Sequence, residues 1–95
     1  MKKNIFEQYV KAIISLFSIT EEELFTKSKR KDLTDARFLL YYLCYNRPMK
    51  IRYIQDYMAW KGYVIGHSSI IHGINEVKKN IELDTDYKNI CQELI

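Results

Sequence analysis

Residues 50–81 read KIRYIQDYMAWKGYVIGHSSIIHGINEVKKNI, and the spacing within them decides the fold. Ile51, Ile54 and Met58 recur at three- and four-residue intervals, which predicts a short amphipathic helix from about Lys50 to Ala59. Lys61-Gly62-Tyr63-Val64-Ile65-Gly66 follows, and its two glycines signal a turn. Ile70, Ile74, Val77 and Ile81 then resume helical spacing from His67 or Ser68 to about Ile81, with a polar opposite face. A short helix, a turn and a second helix with a polar outer face is the layout of a helix-turn-helix, whose second helix enters the DNA major groove. Many helical bundles share that layout, so the flanking sequence must separate the two.

Upstream, Ile5, Phe6, Tyr9, Val10, Ile13, Ile14 and Phe17 fall on one helical face, which predicts a helix over about 4–17. Thr20-Glu21-Glu22-Glu23 is a capping-box pattern: the threonine hydroxyl accepts from the Glu23 amide while the Glu23 carboxylate reaches back. A short helix should follow and end near Thr26. Beyond a polar, basic segment, Asp32 or Thr34 offers an N-cap for a helix that turns Leu33, Ala36, Leu40 and Leu43 inward and runs to about Asn46. Arg47-Pro48 stops it, because proline disfavours helical geometry in the residue before it. At the far end, Asp84 or Asp86 can cap a last helix with Tyr87, Ile90, Cys91 and Leu94 inward. No strand alternation or internal repeat occurs. The expected fold is all-α, a compact bundle of five to six helices containing a helix-turn-helix with an extended turn, as a single domain over 1–95.

Composition narrows the function classes. The chain has 95 residues, enough for one core, and 47% hydrophobic against 28% charged residues is globular rather than disordered. Gly62, Gly66 and Gly73, the only three glycines, cannot supply Gly-x-Gly-x-x-Gly or a Walker loop, so no nucleotide cofactor is expected. The longest apolar run, Phe38 to Tyr45, is far short of the roughly 18 residues that cross a bilayer, so no membrane association and a cytoplasmic location are expected. Cys44 and Cys91 stand far apart and read as buried thiols. His67 and His72 lack the spacing and the neighbouring acids or cysteines of a metal site. With no nucleophile–base–acid set or carboxylate pair assembled, no enzyme and no cofactor are expected.

The net charge of +3 is a weak signal, but its distribution is a strong one. Residues 24–79 hold eleven Lys or Arg against Asp32, Asp35, Asp56 and Glu76, and four of those cations fall within Lys27-Ser28-Lys29-Arg30-Lys31. Such a cluster is either a solvated loop that keeps the protein soluble or an electrostatic footprint for nucleic acid.

Three tracts carry a resemblance: Leu24-Phe25-Thr26-Lys27-Ser28-Lys29-Arg30-Lys31-Asp32-Leu33, then Ala36-Arg37, then Gly66-His67-Ser68-Ser69-Ile70-Ile71-His72-Gly73-Ile74. Their order resembles the C-terminal DNA-binding domain of the bacterial replication initiator DnaA, a helix-turn-helix domain of Trp-repressor-like type, from Asn4 to Leu94. In that family a basic loop precedes a helix, and Gly-Arg-Asp-His-Thr-Thr-Val-x-His-Ala opens the recognition helix. The resemblance implies that Lys27, Lys29, Arg30 and Lys31 meet phosphates, with Lys31 placed to reach the minor groove, and that Arg37 clamps a phosphate. It implies that His67 and Ser68 approach bases and that Ser69 and His72 hold the backbone. The family's Arg-Asp is replaced here by Ile65-Gly66, and the turn is about four residues longer, so Lys61 and Tyr63 become candidates for new contacts.

The residues themselves agree in outline. Small hydroxyl side chains at a helix start leave free amides and the positive dipole end open to a phosphate, although Ser68 and Ser69 serve equally well as N-caps. Lys79 can meet a phosphate, Asn75 reads as solvent-facing, and Ile51-Arg52 at the front of the first motif helix would orient the duplex. The expectation is a stand-alone, sequence-preferring protein for double-stranded DNA, without the ATPase module, serving as a regulator or replication accessory of a phage or mobile element. The competing reading is a helical adaptor: eight tyrosines, including Tyr41, Tyr42, Tyr45, Tyr53 and Tyr57, exceed what a small core can hide, so some must reach the surface and meet a protein partner or a second copy.

Overall fold

The computed structural model describes residues 2–94, so Met1 and Ile95 of the expected 1–95 domain lie outside the described residues. Six helices follow in order: α1 Lys2–Phe17, α2 Glu21–Leu24, α3 Lys31–Asn46, α4 Ile51–Trp60, α5 His67–Leu83 and α6 Thr85–Leu94. Among the described residues there is no strand, so the all-α expectation is met.

Local chemistry sets most boundaries. α1 ends on Ser18, held at φ 54 in the left-handed region, while the amides of Ser18 and Ile19 return to the carbonyls of Ser15 and Ile14. The capping box at α2 forms as expected: the Glu23 amide donates to Thr20 Oγ1 at 3.1 Å and the Thr20 amide donates to Glu23 Oε1 at 3.0 Å. α4 closes with Gly62 at φ 89, its amide on Ala59 and that of Tyr63 on Met58, a pattern that frees the chain to leave the helix sharply. Asp84 Oδ1 accepts from the amides of Asp86 and Tyr87 and so caps α6.

Two local expectations change. α3 starts at Lys31, one residue ahead of Asp32 and three ahead of Thr34, with Arg30 at its N-cap and no side-chain cap bond. Asp32 instead sits in the first turn, where a carboxylate suits the dipole. On α6, Ile90 points outward at 41% exposure while Cys91 is buried, because the helix lies at the edge of the bundle and covers α5 with a narrow stripe.

α3 is the hub. It packs against α5 on one side and α1 on another, and buries Leu33, Ala36, Leu39, Leu40, Tyr41, Leu43 and Cys44. Those neighbours ring the helix, so adjacent positions are buried together and the apolar stripe expected from period alone is too narrow. Phe6, Val10 and Ile13 of α1, Ile54 and Met58 of α4, and Ile70, Ile74 and Val77 of α5 complete the core. Each such fully buried side chain contributes roughly 1.5–3 kcal/mol over leaving it in water. α3 and α5 meet closely at Gly73, where an added Cβ would stand 2.6 Å from Phe38 Cδ1 and 2.9 Å from Tyr41 Cδ2. That approach sets the position of the α5 start relative to the segment that precedes α3. Burial of Cys44 pushes its thiol up to about 12, consistent with a packing role.

Candidate functional site

The segment between α2 and α3 is shaped from inside by Arg37. Its side chain is only 4% exposed, and Nη1 donates to the carbonyls of Leu24 at 3.0 Å and Thr26 at 3.1 Å while Nη2 donates to Ser28 at 2.7 Å. One guanidinium thus satisfies three carbonyls of a segment with no helical or sheet partners of its own. Three of the five guanidinium N–H groups go to the loop's main chain, so Arg37, expected as a phosphate clamp, staples the loop while it also lines the concavity beside it.

The extended turn 61–66 is tied to the same place. Lys27 Nζ donates to the Val64 carbonyl at 2.7 Å, and Gln55 Nε2 donates to Ile65 at 2.8 Å from α4. Between the two segments lies the Tyr63 ring, with Lys27 Nζ 4.8 Å and Arg37 Cζ 4.9 Å from its centroid. The longer turn is thus a built wall.

These elements enclose an open concavity of about 500 Å³. The basic segment supplies Lys27, Ser28 and Lys29, α3 supplies Thr34, Arg37, Phe38 and Tyr41, the turn supplies Tyr63 and Ile65, and α5 supplies Ser68, Ser69 and His72. Gly66 is the N-cap of α5 and makes no side-chain cap bond, and neither serine hydroxyl makes a hydrogen bond among the described residues, so the N-capping alternative for Ser68 and Ser69 is not met. The first amides of α5 and two free hydroxyls are left at the rim, the arrangement that receives an anion. His72 stays exposed with its ring edge-on to Phe38 at 5.6 Å and 86°. Tyr41 is 2% exposed, and burial raises the pKa of its phenol well above the usual value, so it stays neutral.

The remaining candidates lie outside this concavity. Arg30 is held by acids: Nε donates to Asp32 Oδ1 at 2.7 Å, Nη2 to Asp32 Oδ2 at 3.0 Å and to Glu23 Oε2 at 3.2 Å. The Arg30 hydrogen bond holds the Asp32 carboxyl below its usual range, and the Thr20 amide does the same for Glu23. Lys31 projects into solvent with Asp35 at 3.3 Å. His67 and Lys79 are exposed on α5, and Ile51 and Arg52 open α4 with Ile51 half-buried. Lys61 lies between Glu7 at 2.8 Å and Glu21 at 3.2 Å with 14% of its side chain exposed. Burial works against its charge, but the two carboxylates outweigh it and hold the ammonium above its usual range. It joins the end of α4 to α1 and α2, so its charge is already paired.

Sequence reasoning missed Thr34, Phe38, Tyr41 and Ile65 as lining residues, because an apolar side chain at helical spacing carries no signal that separates a cavity floor from core. Among the described residues no helix is long and apolar enough to cross a membrane.

The chain is similar at 29% identity, over 98% of its length, to the Chromosomal replication initiator protein DnaA of Chlorobaculum tepidum. The match lies at the C-terminal end of that protein, and the chain spans 18% of its length. No family model matches the chain. No solved structure matches it.

Proposed function

We propose that this chain binds double-stranded DNA with sequence preference, and that it serves as a regulator or replication accessory. The observation that carries the reading is the convergence of Lys27, Lys29, Ser68, Ser69 and His72 on one concavity beside the exposed start of α5. A backbone phosphate takes the rim formed by Lys29 and the α5 amides, while His67 and Ser68 face base edges in a major groove about 12 Å wide. Lys79, further along α5, and Arg52, opening α4, meet flanking phosphates, and Lys31 reaches toward the minor groove. The replication role draws on the name of the aligned relative, a chromosomal replication initiator.

Lys29, Arg52 and Lys79 form no ion pair among the described residues, and Lys27 is bonded to a carbonyl rather than to an acid. Three to four such cations predict a logarithmic salt slope of about −3 to −4, hence roughly two orders of magnitude in affinity between about 50 and 200 mM salt. Polarisation titration of a labelled duplex at both salts tests this. Lys29→Gln should reduce the slope by about one, and Ser68→Ala should alter sequence preference, read by selection from random duplexes, more than nonspecific affinity. Absent or salt-insensitive binding at the lower salt overturns the proposal.

A further inference from the structure

A second face is built by the first turn of α1 and the outer side of α4, and none of its residues lines the concavity. Tyr53, Asp56, Tyr57 and Trp60 fall three, four and seven residues apart on α4, the spacing of one helical stripe. Tyr53 is 38% and Trp60 50% exposed, so the chain leaves two large rings half in water. The rings carry cations: Lys2 Nζ stands 4.1 Å from the Tyr53 centroid, while Lys3 Nζ at 4.0 Å and the acid-paired Lys61 Nζ at 4.5 Å stand by that of Trp60. Lys3, Asp56, Tyr57 and Trp60 line a shallow cleft of about 280 Å³.

We infer that this face is a second nucleic-acid site, one that takes single-stranded nucleic acid by stacking unpaired bases on Trp60 and Tyr53 while Lys2 and Lys3 neutralise the flanking phosphates. Paired aromatics and cations along a track are the means by which proteins hold single strands without reading sequence. Seven residues of helix span about 10 Å, close to three base rises of about 3.4 Å, so both rings can engage one short strand at once. A duplex cannot use the face, since its bases are stacked on one another and offer only their edges. Asp56 at the cleft repels phosphates and accepts from base amino groups, which orients the strand with its bases toward α4 and its backbone toward the lysines. Charge complementarity favours this occupant over a protein partner, because lysine is depleted at protein interfaces and both ammonium groups would have to be desolvated there.

Trp60 is the sole tryptophan, so it reports directly. Titration of the full chain with an oligodeoxythymidylate of about twelve nucleotides should quench its fluorescence saturably, less tightly at higher salt. Tyr53→Ala should weaken binding of a labelled oligomer roughly five- to hundredfold, and Trp60→Ala likewise by anisotropy. Lys3→Gln, a change at an exposed position that leaves the core alone, should weaken it severalfold. All three should leave duplex affinity within about twofold, and unlabelled duplex should fail to displace the oligomer. No quenching, unchanged affinity in Lys3→Gln and Tyr53→Ala, or full displacement by duplex overturns the inference. So does concentration-dependent self-association that Tyr53→Ala abolishes without any oligomer effect, which would make the face a contact between copies. The inference stands apart from the duplex reading: if thymidylate binds and duplex does not, only the earlier proposal fails.

Discussion

Replacing Arg37 by methionine separates a loop staple from a phosphate clamp. The variant keeps an unbranched apolar stem, shorter than arginine's, and deletes three charge-assisted hydrogen bonds to Leu24, Thr26 and Ser28. The bonds to Thr26 and Ser28 are partly open, so water from the concavity replaces much of what is lost there. The Leu24 carbonyl is buried, and an unsatisfied buried acceptor costs about 1–3 kcal/mol. Methionine recovers part of this, because it removes a buried charge that has no carboxylate partner among the described residues. The net loss is about 1–2 kcal/mol, which for a chain of this size lowers the melting temperature by roughly 4–16 °C. Calorimetry reads the melting shift, and amide exchange should show lost protection around residues 25–31. Duplex affinity should fall about tenfold, because the cationic segment must be ordered on binding. The reasoning is refuted if affinity collapses while melting and exchange are unchanged, since Arg37 would then be touching the phosphate itself.

Three further outcomes follow from the same contacts. Lys61→Met should leave duplex affinity within about twofold and lower the melting temperature by only a few degrees, because Glu7 and Glu21 can each turn to solvent; a tenfold loss of affinity in the titration would return Lys61 to the interface. Gly73→Ala gains up to about 1 kcal/mol of helix propensity but forces Phe38 and Tyr41 aside, an overpacking cost of about 1–3 kcal/mol, so chemical denaturation should show a net loss of roughly 1–2 kcal/mol. An unchanged or raised midpoint would mean that Phe38, the half-buried one of the pair, swings freely. The carboxyls of Glu23 and Asp32 are held below their usual 4.5 and 3.8, so their contribution is complete above those values and lost as pH falls through the depressed folded values. Urea midpoints should therefore drop on acidification below about 4.5, and Glu23→Gln should shrink that dependence; a flat profile in the parent chain contradicts the assignment.

Helix order, the capping box at Thr20, the break at Pro48 and the glycine turn after α4 were all readable, because each is written within a few neighbouring residues. What was hidden depends on partners distant in sequence. Nothing near Arg37 shows that carbonyls nine to thirteen residues earlier fold over it, so it reads as one more surface cation. Lys61 likewise reads as free until the fold brings Glu7 and Glu21 to it. The convergence of the basic segment with the α5 start was legible only through motif order, since no periodicity relates a loop to a helix that begins more than thirty residues later. Gly73 was read as a counted glycine, and its use as a contact point became visible only once α3 lay against α5.

Cation number alone therefore overstates the attraction this protein offers a polyanion. Of the segment 27–31, Arg30 is neutralised by Asp32 and Glu23 and Lys31 faces Asp35, while Lys27 is anchored to Val64 and Lys29 has no partner among the described residues. If pairing is what silences Arg30, then Asp32→Asn should release it. The variant loses a bidentate contact at an exposed site, so stability changes little, but the segment gains one unit of charge and a guanidinium held only by the single contact to Glu23. Duplex affinity should rise several-fold at low salt, with the slope steeper by about one, and the gain should vanish at high salt. Arg30→Gln in the parent chain should by contrast change the slope little. If instead Arg30→Gln flattens the slope as much as Lys29→Gln does, the ion pair opens on binding, and the charge that matters is the one the unbound protein keeps covered.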